Sequence, residues 1–298
     1  MRRLAACLIA FSMLFGAARC EGMLNLAPDA PPTVRVFNAG AIVEMDLEEY
    51  LVGVLAAEMP AGYEVEALKA QAVAARTYTL YKLDRGGCRS NAGADVCTNS
   101  GCCQAYATQA RLRERWGDRF DERMARVRGA VDATAGQLVT YDGEPIEALY
   151  HASSGGHTED VEQVYAVALP YLRGVQSDGE QSAPQYRGEQ SFTADQLAAA
   201  LGVNARGLSV EVLSRTEYGR AARVAAGGAV FEGTAFRRKL GLRSSNFTVT
   251  EDGGRFTFHT LGYGHGVGMS QVGANAMALR GADYREILTW YYTGTQVG

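Results

Sequence analysis

Four cysteines stand within sixteen residues, Cys88, Cys97, Cys102 and Cys103, in the run CRSNAGADVCTNSGCC. Whatever bonds them, this stretch must fold back on itself, so one loop is stapled whatever the rest of the chain does. The spacing serves two chemistries. Four thiolates can close a tetrahedral zinc site, and the gap between Cys97 and Cys102 suits a metal loop. In an exported chain two disulfides are the alternative, with the adjacent Cys102 and Cys103 each bonding elsewhere in the loop.

Export is indicated at the N-terminus. Arg2 and Arg3 precede an apolar run from Leu4 to Ala18, and Gly16 and Ala18 have the small-residue spacing that a signal peptidase accepts. The run is shorter than the roughly 20 apolar residues that span a bilayer. Residues 1–20 therefore read as a signal peptide, with an uncleaved membrane anchor as the alternative. Arg19 before Cys20 is the wrong neighbour for lipidation. Residues 21–32 read as a linker, and 33–298 as one exported domain acting outside the cytoplasm. Loss of Arg2, Arg3 and Arg19 would move the formal charge from −4 to −7. A chain this acidic does not hold a phosphate backbone by counterion release, so a nucleic-acid partner is not expected. With 47% hydrophobic and 21% charged residues among 298, it can bury a sizeable core and is neither a disordered tail nor a coiled coil.

Thr33 to Phe37 alternates as a strand. Asp46-Leu-Glu-Glu49 has capping-box spacing and opens a helix that must stop before Pro60. A second helix is expected from about Glu66 to Lys82, Ala-rich around most of its circumference and so packed on several sides. A charged helical stretch follows at 109–131, then strand-like residues with a turn at Asp142-Gly143. Residues 176–190 are polar and irregular, 191–250 mix short strands with a helix at 193–201, and a last helix spans about 270–280. The pattern is α+β, without regular βαβ alternation.

In the first helix Leu47, Leu51, Val54 and Leu55 form an apolar stripe, and Glu58 projects from the same face. Glu48 and Glu49 point elsewhere, toward solvent. A carboxylate on an apolar face is costly unless partnered or needed. Desolvation would raise its pKa and let it hold a proton near neutral pH, as a general acid must. The structural alternative is a carboxylate that rims the core or pairs with a cation such as Arg76.

Two further segments carry polar chemistry. Tyr150-His-Ala-Ser-Ser-Gly-Gly-His-Thr158 sets hydroxyls, His151 and His157 straight after a strand. A serine nucleophile with a histidine base is conceivable there, although Gly-x-Ser-x-Gly is absent and an ordinary polar turn is the alternative. Gly262-Tyr-Gly-His-Gly-Val-Gly-Met-Ser-Gln-Val-Gly273 alternates glycine from 262 to 268, which lets the backbone approach a ligand or another strand closely. It lacks the Gly-Lys-Ser/Thr of a phosphate loop. His265 reads as a ligand-contacting group, and Ser270 as a helix cap.

Taken together, EEYLVGVLAAEMPAGYEVEALKAQAVAARTY (48–78), ADVCTNSGCCQAY (94–106), HASSGGHTEDVEQV (151–164), PYLRGV (170–175) and GYGHGVGMSQVGANAMA (262–278) resemble the stage II sporulation protein D family of peptidoglycan lytic transglycosylases. The resemblance spans essentially the whole exported domain. It implies an α+β domain of two lobes around a glycan-binding cleft, with Glu58 as the essential acid. It also implies cleavage of the MurNAc–GlcNAc bond in septal wall, within a membrane-associated complex that remodels wall during sporulation. Arg76, His151, Ser153, Ser154, Gly155, Gly156, His265 and Gln271 are then assigned to substrate binding. Some members bind zinc through two cysteines and two histidines in this loop. Here Cys102 takes one histidine position and Asn91 the other, so Cys88 supplies the fourth ligand beside Cys97, Cys102 and Cys103. A non-catalytic, wall-binding amidase enhancer is the alternative function.

Overall fold

Val34 and Val36 alternate inward from β1 (Thr33–Asn38), which turns through Ala39-Gly40 into antiparallel β2 (Ala41–Asp46). The computed structural model describes residues 32–298, so the expected leader, and all of the linker but Pro32, lie outside the described residues. Asp46 caps α1 (Leu47–Glu58), its Oδ1 accepting the Glu49 N–H at 2.9 Å. The reciprocal half of the capping box does not form, because the Glu49 side chain is engaged by Arg128. Met59 turns extended and Pro60 ends the helix, as expected. The stripe is wider than its spacing implies: Tyr50, Val52, Gly53 and Ala56 are buried as well, since later elements enclose α1.

α2 (Val65–Asp84) extends two residues beyond the expected Lys82 and is buried along twelve of its twenty positions. β3 (Val96–Cys97) adds to β1 in parallel. The charged stretch expected as one helix is two, α3 (Gln109–Trp116) and α4 (Phe120–Asp132). They are split at Gly117, whose φ of +52° lies in the region that favours glycine. β4 (Val139–Tyr141) and β5 (Glu144–Pro145) form the hairpin over Asp142-Gly143. β6 (Tyr150–His151) precedes the irregular segment.

β7 (Arg187–Thr193), α5 (Ala194–Leu201), β8 (Val210–Arg215), β9 (Ala221–Ala226), β10 (Ala229–Glu232), α6 (Gly233–Leu240), β11 (Phe247–Asp252) and β12 (Arg255–Leu261) make two three-stranded antiparallel sheets with two helices. They close over their own apolar cluster, in which Phe236, Phe247 and Phe258 pack ring on ring at 5.5–5.9 Å. β13 (Met269–Ser270) pairs in parallel with β6 and leads into α7 (Gln271–Leu279). The chain does not end helically there. A further helix, α8 (Tyr284–Tyr291), opens with a complete Asp283/Glu286 capping box, and β14 (Gln296–Val297) pairs with β4.

α2 is the axis of the larger apolar cluster, packed against α1, α4, α7 and α8, which explains why small alanines occupy so much of its circumference. Residues 33–298 form one compact unit containing both clusters, of α+β class. No helix among the described residues is long and apolar enough to cross a membrane.

The alternating glycines approach another strand. Tyr263 pairs with Ser153, and Val267 with Glu159, so the segment runs along 149–159. At Gly268 a Cβ would fall on the Leu149 carbonyl oxygen, and at Gly264 it would press into the His151 side chain.

Candidate active site

Glu58 is the last residue of α1, and half-buried. Its Oε1 accepts the Ala105 N–H at 2.6 Å, and Gln271 Nε2, at the first position of α7, donates to Oε2 at 3.5 Å. Gln271 also donates to Gln71 Oε1 at 3.3 Å. Burial raises the Glu58 pKa, and the Ala105 and Gln271 donors offset part of that rise, so the net direction is up. Among the described residues neither Arg76 nor any other cation pairs with this carboxyl.

Glu58 lines a cavity of about 180 Å³ together with Tyr78, Gln104, Tyr150, His151, Tyr165 and His265. It is the one carboxylic acid among the lining residues. The Tyr150 hydroxyl donates to Gln104 Oε1 at 2.7 Å, and burial beside Glu58 holds the phenol neutral. His265 sits between two backbone groups: Nε2 donates to Tyr150 O at 2.9 Å and Nδ1 accepts the Val267 N–H at 3.2 Å. Burial pushes its pKa down to about 4, so the ring is neutral at physiological pH. His151 Nδ1 bonds Val267 O at 3.1 Å, and burial also drives its pKa well down. Its Nε2 is then a buried acceptor without a partner among the described residues. A larger depression of about 450 Å³ lies along β7 and β12 by His259 and Glu189 and shares no lining residue with this cavity.

Ser153 and Ser154 do not present their hydroxyls to the cavity. Both are buried and donate to the carboxylate of Glu180, at 2.5 and 2.7 Å, and neither bonds a histidine. His157 instead stacks on Tyr218 with ring centres 4.2 Å apart. This geometry removes the basis for a serine nucleophile. Glu180, in the irregular stretch that precedes β7, also accepts from Ser177 and Ser270 hydroxyls at 2.5 and 2.8 Å, and from the Ser154 and Gly155 N–H groups at 2.9 and 3.4 Å. One carboxylate thus ties the 153–155 loop to Ser270, the cap of the helix that carries Gln271. Gly155 and Gly156, at φ +83° and +112°, shape that loop without lining the Glu58 cavity. No sequence pattern marks Glu180.

Arg76 belongs to the core. At 1% exposure it donates to Glu48 at 2.7 and 2.5 Å and to the Val131 and Gln137 carbonyls. Glu48, expected in solvent, is its partner. Arg76 does not line the Glu58 cavity.

The four cysteines converge, with every Sγ within 4.8 Å of the others, and none forms a disulfide. Cys88 and Cys102 are 3.7 Å apart, and Cys102 and Cys103 3.9 Å. Zn–S bonds of about 2.3 Å in a tetrahedron place sulfurs about 3.8 Å apart, so the donor set fits zinc. Asn91 Nδ2 donates to Cys88 Sγ at 3.4 Å, supporting a ligand instead of being one. Burial pushes the Cys97 and Cys103 thiols up, a cost a dication would offset by holding thiolates. Cys102 and Cys103 also line the Glu58 cavity, and Ala105, two residues on, donates to Glu58.

A half-buried carboxylic acid with a raised pKa, set among neutral donors and acceptors, defines a candidate general acid–base centre of an α+β protein. Residues 38–141 match the family described as Stage II sporulation protein. The chain is 36% identical over 283 residues to Stage II sporulation protein D of Bacillus subtilis (94% of this chain, 82% of that one). It is 34% identical to the Bacillus amyloliquefaciens protein of the same name (93% and 81%), and 27% identical to the Amidase enhancer of Bacillus subtilis (82% and 40%). The chain belongs to the stage II sporulation protein D family.

Proposed function

We propose that this protein is a lytic transglycosylase that cleaves the β-1,4 MurNAc–GlcNAc bond of peptidoglycan and leaves a 1,6-anhydro-MurNAc end. The observation that carries the reading is the solitary carboxylic acid of the cavity. Glycosidases ordinarily place two carboxyl groups about the bond. A transglycosylase needs one, because the 6-hydroxyl of the muramyl sugar attacks its own anomeric carbon. Glu58, whose pKa burial raises, gives its proton to the leaving oxygen. As carboxylate, steadied by Ala105 N–H and Gln271, it then takes the proton from the 6-hydroxyl. His151 Nε2, an acceptor without a partner among the described residues, suits a sugar hydroxyl or acetamido N–H.

Zinc, held by Cys88, Cys97, Cys102 and Cys103, would be structural, since four thiolates leave no position for water. Its service would be to fix the loop that carries Ala105. Export through the leader would put the enzyme on the wall, acting on glycan strands within a membrane-associated remodelling complex during sporulation. The similarity to an amidase enhancer favours a second reading, a wall-binding protein without chemistry. Incubating peptide-free strands with wild type, Glu58→Ala and Glu58→Gln separates them. Product from wild type should fall about 10²–10⁴-fold in either variant. Intact strands from wild type would overturn the enzyme reading.

A further inference from the structure

We propose that Arg237 forms a carboxylate-binding subsite at the edge of the Glu58 cavity, recognising an anionic group on the glycan; this rests on the glycan reading above. Arg237 lies in the last turn of α6. Its Nε donates to the carbonyls of Leu242 and Arg243 at 3.1 and 3.2 Å. The same Arg243 carbonyl accepts the N–H of Gly264 at 2.9 Å, and Gly264 lines the Glu58 cavity. The guanidinium is therefore two hydrogen bonds from the cavity wall.

Both anchoring bonds use Nε, and neither Nη group has a hydrogen-bond partner among the described residues. The stem is fixed and the fork is free, the arrangement that a planar carboxylate can meet with two parallel bonds. Three other half- or fully buried arginines are matched by acids: Arg76 by Glu48, Arg173 by Glu162 and Arg220 by Glu159. Arg237 has no acidic partner among the described residues. Burial lowers its pKa, and an incoming anion would replace the hydration it has lost.

The surroundings suit a sugar acid. Tyr165 and Tyr263 are 42% and 45% exposed, large aromatic faces left open to a pyranose. The Tyr165 ring is 6.0 Å from that of His265, and the charge of Arg237 acts on Tyr165 and on both buried histidines. Arg243 lies over Tyr263 at 5.5 Å and adds positive charge to the same wall. A peptidoglycan strand offers carboxylates from two sources. Each muramyl lactyl group bears one when its stem peptide has been removed, and the stem peptide carries its own when present.

Binding should be read by calorimetry in a Glu58→Gln chain, which cannot turn over. The probes are a peptide-free strand fragment, the same fragment with its lactyl carboxyls converted to methylamides, a peptide-bearing fragment, and a chitin oligosaccharide of equal length. Free lactyl carboxylates should raise affinity about 10-fold or more over the methylamide. Adding Arg237→Gln should abolish that preference and leave chitin binding unchanged, while Arg237→Lys should keep part of it. A preference confined to the peptide-bearing fragment would support the subsite and identify the stem peptide as its ligand. Equal weakening of every probe by Arg237→Gln, or no preference in the parent, would overturn it. If no probe binds, the glycan reading itself fails. Wild type that discriminates carboxylates yet makes no anhydro ends overturns the reaction alone.

Discussion

Replacing Glu180 by Gln keeps the shape of the hub and changes only its hydrogen-bonding capacity. The carboxylate accepts six hydrogen bonds, with Oε2 serving Ser153 Oγ and the N–H groups of Ser154 and Gly155, and Oε1 serving the hydroxyls of Ser154, Ser177 and Ser270. An amide would turn its oxygen to the backbone N–H groups, which cannot rotate, and its NH₂, with two protons, could donate to two of the three hydroxyls, which can. Charged bonds worth about 1.5–3 kcal/mol each would become neutral ones worth about 0.5–1.5. Because the hydroxyls recover part of the loss by turning, we expect destabilisation of about 3 kcal/mol. At about 2–4 °C per kcal/mol, the Tm should fall by roughly 6–12 °C. Glu180→Ala, which orphans every donor, should cost more. Thermal unfolding followed by circular dichroism reads both. A Glu180→Gln chain within about 0.5 kcal/mol of wild type would refute the reasoning, since it would mean that the hub needs no ionised carboxylate.

The remaining expectations follow from the same geometry. The acid form of Glu58 is populated below its pKa, so activity should fall as pH rises through that raised value. Gln271→Ala removes a donor that favours the carboxylate, so this limb of the pH–rate profile should move to higher pH; a move to lower pH would contradict the assignment. Elemental analysis of purified protein should find one zinc per chain, and chelation should lower the Tm and speed proteolysis around residues 88–103 before anhydro product is lost. Glu48→Ala strands the buried Arg76 and should cost about 3–5 kcal/mol while leaving KM near wild type, whereas a KM rise at undiminished stability would return Arg76 to substrate binding.

Helical spacing alone set Glu58 on the buried face of α1, because a period of 3.6 needs no knowledge of what packs against it. The same reasoning misplaced Glu48. A helical face is solvent-exposed only until another helix covers it, and Arg76 of α2 covers this one. The two serines looked like ligands because their neighbours suit a binding loop. What claims them is Glu180, 27 and 26 residues away in a segment without periodicity, and no local pattern carries a contact of that kind. Gly117 was legible as a residue but not as a break, since a single glycine is tolerated within a helical pattern until its φ turns positive. α8 carries its own local signal: Asp283 and Glu286 have the capping spacing before an apolar run. The convergence of the cysteines followed from their spacing, whereas the hydrogen bond from Ala105 to Glu58 depends on how the loop lies over α1.

One-carboxylate cleavage without water can be distinguished from hydrolysis by digesting peptide-free glycan strands in ¹⁸O-labelled water and weighing the new muramyl ends. If Glu58 acts alone, the ends are unlabelled 1,6-anhydro-MurNAc and vanish with Glu58→Ala. Reducing ends carrying ¹⁸O would contradict it, because water would then have attacked the anomeric carbon.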